Sequence, residues 1–218
     1  MTLEADGLPT DRAASRPILA REECFAGRVW NVVSDQVDLE HARVTRDFVQ
    51  HTGAVGILVL DELERLYLVR QYRHPVGGEC WEPPAGLLDV ADEDPVEAAA
   101  RELHEEADLT AATWHTLTDY FPSAGGSSES VRLFLARDVS PVPEAERHVR
   151  SEEERDMEGA WVPLDQVLDA IADGRVHASS IVIGALALDR ARRSGWSTLR
   201  PADAPWMLAP ADRRRSAV

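Results

Sequence analysis

The sequence predicts an α+β protein, arranged as an α/β/α sandwich in which helices cover a central sheet on both sides. Three observations support this fold class. Strand-like runs fill the first third of the chain, an amphipathic helix follows near residue 100, and two further helices come after the last strands. At 218 residues the chain can bury a substantial core, and its length fits one domain or one domain with an appendage.

The N-terminal region is predicted to combine an arm with a small sheet. Residues 1–17 mix small, polar and charged types without periodicity, which predicts a disordered or draped arm. Within residues 18–50, alternating runs at 29–33 and 42–49 predict two or three strands of a small antiparallel sheet. Because so small a sheet is marginal alone, we expect it to pack on the main domain or to serve dimerisation.

The main domain is predicted to span residues 51–195. The continuous apolar run at 54–60 predicts a buried strand, and the run at 66–73 predicts its hairpin partner. Further strands are predicted at 80–82, 114–121, 131–136 and 159–162, and helices at 95–107, 163–173 and 178–193. Residues 196–218, with several prolines and three consecutive arginines, are predicted to form a C-terminal tail.

The charge of the chain limits its possible partners. With 39 acidic and 23 basic residues the net charge is −16, which argues against a nucleic-acid or anionic-membrane surface. All the basic residues are arginine, so Schiff-base chemistry and a P-loop lysine are excluded. An anionic substrate must be held by arginine, backbone N–H groups or metal. The sequence contains no 18-residue apolar run or signal peptide, and we therefore expect a cytoplasmic protein.

The helix at 95–107 has clear start and stop signals and one acidic face. Asp94 is suited to cap its first turn, and Asp108 tolerates the left-handed conformation that ends many helices. If Glu102 is placed at 0°, Glu105 lies near about 300° and Glu106 near about 40°. Three carboxylates on one narrow face repel each other unless they are neutralised, and they are hard oxygen ligands of the kind that Mg²⁺ prefers.

The stretch around this helix resembles the Nudix box, G-x5-E-x7-R-E-U-x-E-E-x-G-U, where U is aliphatic. Here Gly86, Glu93 and the run from Arg101 to Glu106 match the pattern, with one extra residue between Gly86 and Glu93. A second departure is Asp108, which stands where the pattern has glycine. The resemblance implies the Nudix hydrolase fold, an α/β/α sandwich with a mixed sheet.

The flanks of the box resemble the ADP-ribose pyrophosphatase branch of this superfamily. The segments 71–73 and 81–86, read as Q-Y-R and W-E-P-P-A-G, are similar to the Q-x-R and W-E-x-P-A-G motifs of that branch. The small N-terminal sheet and the Gly-Ser-Ser-Glu loop are similar as well, so the resemblance covers residues 23–193. One departure is Ala124, which precedes Gly125 where that branch often has proline.

The resemblance implies a Mg²⁺ site, with Mn²⁺ as a possible substitute. Glu102 and Glu106 would be the principal ligands, with Glu105 as a helper and the Ala85 carbonyl as a further ligand from the preceding loop. We assign Arg101, together with Glu93, to holding these carboxylates in place. Divalent ions neutralise a diphosphate, lower the pKa of a bound water and stabilise the leaving phosphate.

The resemblance also implies a general base in the acidic loop before the last strand, here residues 152–156. Counting back from Trp161 favours Glu154, and Glu153 and Asp156 are the alternatives. A loop that is merely charged and solvated is the competing interpretation.

Five further residues are candidates for substrate binding, each with an open alternative. Arg73 could contact a phosphate through its planar fork or form a surface ion pair, and Glu82 could accept from the base or ribose or pair with an arginine. Trp30 could stack on adenine, even across a dimer interface, or belong to the core. Glu129 and the Gly126 backbone could approach the substrate from the small-residue loop.

The function that these residues predict is Mg²⁺-dependent cleavage of ADP-ribose to AMP and ribose 5-phosphate. One alternative keeps the class but changes the substrate to another nucleoside diphosphate sugar of the GDP-mannose type. Another is a module that senses ADP-ribose without cleaving it. We expect a homodimer, because the small N-terminal sheet needs a partner.

Overall fold

A computed structural model describes residues 9–149 and 157–210. The strands are β1 (Ile18–Ala26), β2 (Asn31–Asp38), β3 (Arg43–Gln50), β4 (Ala54–Leu60), β5 (Arg65–Arg73), β6 (Gly78–Glu82), β7 (Ala85–Leu87), β8 (Leu109–Tyr120), β9 (Val131–Pro141), β10 (Glu158–Pro163) and β11 (Arg200–Pro201). The helices are α1 (Pro95–Ala107), α2 (Leu164–Ala172) and α3 (Ser179–Arg193).

The strands form two sheets. Strands β1, β2 and β3 make the small antiparallel sheet that the sequence predicts, and β1 precedes the two runs at 29–33 and 42–49. The main sheet has eight strands, with the path β10-β5-β4-β9-β8-β11 and with β6 beside β5 and β7 beside β4. It is mixed, because β4 and β9 run parallel while the other pairs are antiparallel.

Strand β4 shows why helices cover both faces of the main sheet. Successive side chains of a strand point to opposite faces. Val55 and Ile57 therefore pack in one core with Leu103 of α1, while Leu58 packs in another with Ile181 of α3. All five side chains are fully buried. The predicted α/β/α sandwich with a mixed sheet is thus confirmed.

The small sheet is joined to the main domain at the end of β3. The Val49 N–H donates to the Gly126 carbonyl over 3.0 Å, and the Ser128 N–H donates to the Val49 carbonyl over 2.9 Å. These bonds fix the loop of residues 122–129 against β3. Strand β1 lies at the other edge of the small sheet, and all nine of its residues are exposed.

The C-terminal segment predicted as a tail is attached to the sheet as far as Pro210. Strand β11 pairs with β8. The Arg132 guanidinium, 4% exposed, donates to the carbonyls of Ala204 at 2.7 Å and Pro205 at 3.3 Å and pairs with Asp119. None of the helices in the described residues has the length and apolar character needed to cross a membrane.

Candidate active site

Helix α1 is placed by the caps that the sequence predicts. The Asp94 carboxylate accepts from the Val96 N–H over 2.9 Å, and Asp108 ends the helix with φ 53°. Leu103 is fully buried against the sheet. Because Leu103 fixes the rotation of the helix, the face that carries Glu102 and Glu106 turns toward strand β7.

The backbone of β7 lies directly against two of the three glutamates. The Ala85 N–H donates to Glu106 Oε2 over 2.9 Å. A Cβ atom on Gly86 would overlap the carboxylate of Glu102, so only glycine leaves room for that side chain. The structure therefore brings Ala85 and Gly86 of β7 together with Glu102 and Glu106 of α1.

Arg101 connects the acidic face to the preceding loop. Its Nε and Nη2 atoms donate to the two oxygens of Glu93 at 2.9 and 3.1 Å, and Nη1 donates to Glu102 Oε1 at 2.6 Å. Nη1 also lies 3.5 Å from Glu105 Oε2. The hydrogen bond with Glu93 is the largest cause of the raised pKa of Arg101. The extra residue between Gly86 and Glu93 therefore leaves the predicted contact of Arg101 with Glu93 intact.

The donor set of this face suits a divalent cation. Carboxylate oxygens of Glu102, Glu105 and Glu106 are hard ligands, and their i, i+3, i+4 spacing puts them on one helix face. Within residues 9–149 and 157–210 no three acidic, histidine or cysteine side chains converge closely enough to enclose an ion. The reason is that Glu102 is turned to Arg101 and Glu106 to Ala85. Coordination would need only side-chain rotations, because the backbone already places these residues.

The side chains of Arg73 and Glu82 form a bidentate ion pair. The Arg73 Nε and Nη2 atoms donate to the two Glu82 oxygens at 3.0 and 2.7 Å. Glu82 is buried and Arg73 remains 41% exposed. The pKa of Arg73 is raised, first by Glu82 and more weakly by the charge of Glu106, so the pair lies beside the acidic face. Of the two alternatives for Glu82, pairing with an arginine is the one present in this structure.

A polar surface continues from this pair to the N-terminal sheet. Burial raises the pKa of Tyr120, a hydrogen bond with Ser179 acts in the opposite direction, and the charges of Glu129 and Glu82 raise it further. Beyond Glu129 lies His51, whose Nε2 atom is 3.8 Å from Glu129 Oε1. Its ring lies under Trp30, with the ring centroids 5.7 Å apart.

Sequence reasoning missed His51 and Tyr120. Each lies at or next to the end of a strand, His51 one residue after β3 and Tyr120 as the last residue of β8. Position at a strand end is the signal that could have found them. The alternative that Trp30 belongs to the core is wrong for this chain, because its side chain is 47% exposed.

Gly126 and the candidate general bases are the remaining parts of the predicted site. Both backbone groups of Gly126 bond to the protein, the N–H to the Ser123 carbonyl and the carbonyl to the Val49 N–H, each at 3.0 Å. The candidate bases Glu153, Glu154 and Asp156 lie outside the described residues, so the choice among them stays a prediction.

The fold and the site together define a class of protein, the hydrolases that cleave phosphoric anhydrides at a carboxylate-rich helix with a divalent metal. The NUDIX domain model matches residues 50–181, and the chain belongs to the NUDIX family.

Three known proteins are similar to this chain. The ADP-ribose pyrophosphatase of Mycobacterium tuberculosis is 39% identical over 193 residues, covering 88% of this chain and 91% of that protein. The ADP-ribose pyrophosphatase of Bacillus subtilis is 32% identical over 160 residues, covering 73% and 84%. A solved structure of an ADP compounds hydrolase superposes with a TM-score of 0.69 over 86% of this chain and 100% of that one; at 19% identity, it shows the fold alone.

Proposed function

We propose that this protein hydrolyses the diphosphate of ADP-ribose to AMP and ribose 5-phosphate with Mg²⁺. The observation that carries the proposal is the β7 backbone lying against Glu102 and Glu106, which fixes these carboxylates of α1 beside Ala85 and Gly86. The similarity to two ADP-ribose pyrophosphatases, which extends well beyond the family motif, supports the choice of substrate.

Glu102, Glu106 and Glu105 would hold the metal, with the Ala85 carbonyl as a further ligand, and Arg101 would keep Glu102 in position. When bound, Mg²⁺ or Mn²⁺ would neutralise the diphosphate and lower the pKa of a water molecule. Glu154, or Glu153 or Asp156, accepts the proton of the attacking water. The water oxygen forms a bond to phosphorus as the bridging P–O bond breaks, and the two products leave as phosphate monoesters.

The rest of the substrate would follow the polar surface away from α1. The Arg73–Glu82 pair lies nearest the acidic face and leaves Arg73 partly exposed for a phosphate or ribose contact. Glu129 lies farther along and suits a ribose hydroxyl or base amino group. Trp30, at the far end, offers an exposed indole face for the adenine.

A substrate panel tests this function. ADP-ribose, GDP-mannose and other nucleoside diphosphate derivatives are incubated with the purified protein, with Mg²⁺, with Mn²⁺ and with EDTA. We expect AMP and ribose 5-phosphate from ADP-ribose only when metal is present. A kcat/KM on GDP-mannose equal to or above that on ADP-ribose favours the sugar-nucleotide alternative. Stabilisation by ADP-ribose without any product favours a sensing module.

The assembly and location that we propose are a homodimer in the cytoplasm. The fully exposed strand β1, with Ile18 and Phe25 at 52% and 64% exposure, supports a partner at the small sheet. The division into a dimerisation subdomain at 18–50 and a catalytic domain at 51–195 belongs to the same proposal. Light scattering that gives a monomer mass at micromolar concentration would contradict it, and fractionation of cells tests the location.

A further inference from the structure

His51 lies at the junction of three chain segments that carry candidate substrate contacts. It follows β3 directly, and its backbone N–H donates to Ser128 Oγ over 2.9 Å, next to Glu129 in the loop of residues 122–129. Its side chain is 5% exposed, and the Trp30 indole covers it with the ring planes 31° apart. One buried ring therefore contacts the loop and the exposed aromatic together.

The two ring nitrogens of His51 have separate partners. Nδ1 accepts from the Gly53 N–H over 2.9 Å, so in the neutral ring the proton is carried by Nε2. Nε2 faces Glu129 Oε1 at 3.8 Å. Burial lowers the pKa of His51, with the charge of Glu129 acting in the opposite direction, which favours the neutral ring at pH 7. The fixed tautomer presents an N–H donor to Glu129.

Glu129 in turn belongs to the surface that leads to α1. Its charge and that of Glu82 both act on the Tyr120 phenol, and Glu82 is bound to Arg73 beside Glu106. A distance of 3.8 Å is too long for a hydrogen bond, but such contacts often shorten when a substrate binds. His51 is thus placed to orient both Glu129 and Trp30 without touching the diphosphate.

We infer that His51 is a positioning residue for the nucleoside end of the substrate, which sets Trp30 by ring contact and Glu129 through Nε2–H. This inference rests on the proposed function, because it assigns a role within the same site. It predicts an effect on substrate affinity and none on the chemical step, since His51 pairs with Glu129 and Trp30, whereas the predicted metal ligands lie on α1 and β7.

Two amide substitutions separate the role of Nε2 from that of Nδ1. His51→Asn keeps an acceptor near Nδ1 for the Gly53 N–H and removes the donor to Glu129. His51→Gln keeps a donor near Nε2 and removes the acceptor. We expect His51→Asn to raise KM for ADP-ribose about 10-fold, the value of one hydrogen bond to a charged group, with kcat within about twofold. His51→Gln should recover the part of the affinity that depends on Glu129 but not the part that depends on Trp30, because neither variant keeps the ring.

A higher KM in His51→Gln than in His51→Asn would overturn the inference. An equal rise of KM in both variants together with a fall in kcat would show a structural role and would also overturn it. A double-mutant cycle adds a second readout, because Glu129→Gln should remove most of the effect of His51→Asn if the two residues act together. Fully additive effects on KM contradict the coupling. His41→Asn, an exposed histidine in the β2–β3 turn, is the matched control and should change neither constant.

Calorimetric binding of AMP, which needs no turnover, keeps this inference separable from the proposed function. If the wild-type protein fails to cleave ADP-ribose but binds AMP, and His51→Asn weakens that binding, the function fails while the role of His51 stands. If the protein cleaves ADP-ribose and His51→Asn changes neither KM nor AMP affinity, the function stands and the inference is overturned. A protein that neither cleaves ADP-ribose nor binds AMP overturns both.

Discussion

The two ends of the candidate site are built in different ways. At the metal end, residues 85–106 supply every contact, and Arg101 holds Glu93 and Glu102 at 2.6–3.1 Å. At the nucleoside end, Trp30, His51 and Glu129 come from three distant segments, and the distances that join them are 3.8 and 5.7 Å.

This difference indicates which end of the site is preorganised and which end adapts on binding. At the metal end, α1 and β7 fix the backbone positions of the carboxylates, so side-chain rotations are enough to reach a geometry that must match a transition state. The 3.8 Å separation of His51 from Glu129 and the exposure of Trp30 allow adjustment on binding. Substitutions at the metal end should therefore change kcat, and substitutions at the nucleoside end should change KM.

The largest effect is expected from Glu102→Gln. It removes the charge of a predicted metal ligand but keeps its shape, so the fold should persist. Because loss of an outer partner of a metal ligand costs about 10–100-fold, loss of the ligand should lower kcat by more than about 100-fold. Steady-state kinetics at several Mg²⁺ concentrations measure this fall in kcat. Substitution of the exposed Glu62 by glutamine is the control. A fully active, Mg²⁺-dependent variant would refute the metal assignment.

The next effect is expected from Gly86→Ala. The added Cβ overlaps the Glu102 carboxylate and must displace it. A displacement of about 1 Å can cost about 100-fold in rate, so kcat should fall by about 10–100-fold with little change in KM. Gly78→Ala is the matched control, because its Cβ would meet no atom within 4 Å. Equal kinetics for the two alanine variants would show that Glu102 need not be held at β7.

A smaller effect, confined to affinity, is expected from Trp30→Ala. Loss of a stacking platform costs about 1–3 kcal/mol for a nucleic-acid base, so KM for ADP-ribose should rise by about 10-fold or more while kcat holds. The neighbouring exposed Val29→Ala controls for changes in the turn. If kcat fell by the same factor as KM rose, the metal end and the nucleoside end would not act separately, contrary to what their contacts indicate.

The smallest effect concerns stability in acid. Burial lowers the pKa of His51, so below the ordinary value of about 6.5 the unfolded chain binds a proton more readily than the folded one. The stabilisation is present above that value and is lost as pH falls toward the lower folded pKa. Urea unfolding at pH 7.5 and 5.5 should show a larger loss for the wild type than for His51→Gln. Equal losses would place the acid sensitivity elsewhere.

The sequence predicted the metal end well because local signals determine it. Asp94 and Asp108 cap α1 through contacts with residues a few positions away, and helical spacing alone aligns Glu102 with Glu106. The family pattern includes Gly86 but does not predict its contact with Glu102, which appears only in the structure. The α/β/α fold followed from the order of strands and helices.

The nucleoside end could not be predicted in the same way, because it depends on long-range pairing. His51 meets Glu129 only because β3 pairs with the loop of residues 122–129, and no periodicity reports that contact. The Arg73–Glu82 pair depends on the register between β5 and β6. The start of β8 at Leu109, earlier than predicted, depends on its long pairing with β9.

The buried Arg132 has a consequence for how this chain is made. Two of its acceptors are carbonyls of Ala204 and Pro205, which leave the ribosome long after Arg132 itself. Each hydrogen bond to a charged group contributes about 1.5–3 kcal/mol, and an unmatched buried charge is costly. Until residues 204 and 205 have been synthesised, the guanidinium keeps its pair with Asp119 but lacks these two acceptors. The C-terminal segment thus stabilises the main sheet only late in synthesis, and a chain truncated before residue 204 should show a lower free energy of unfolding.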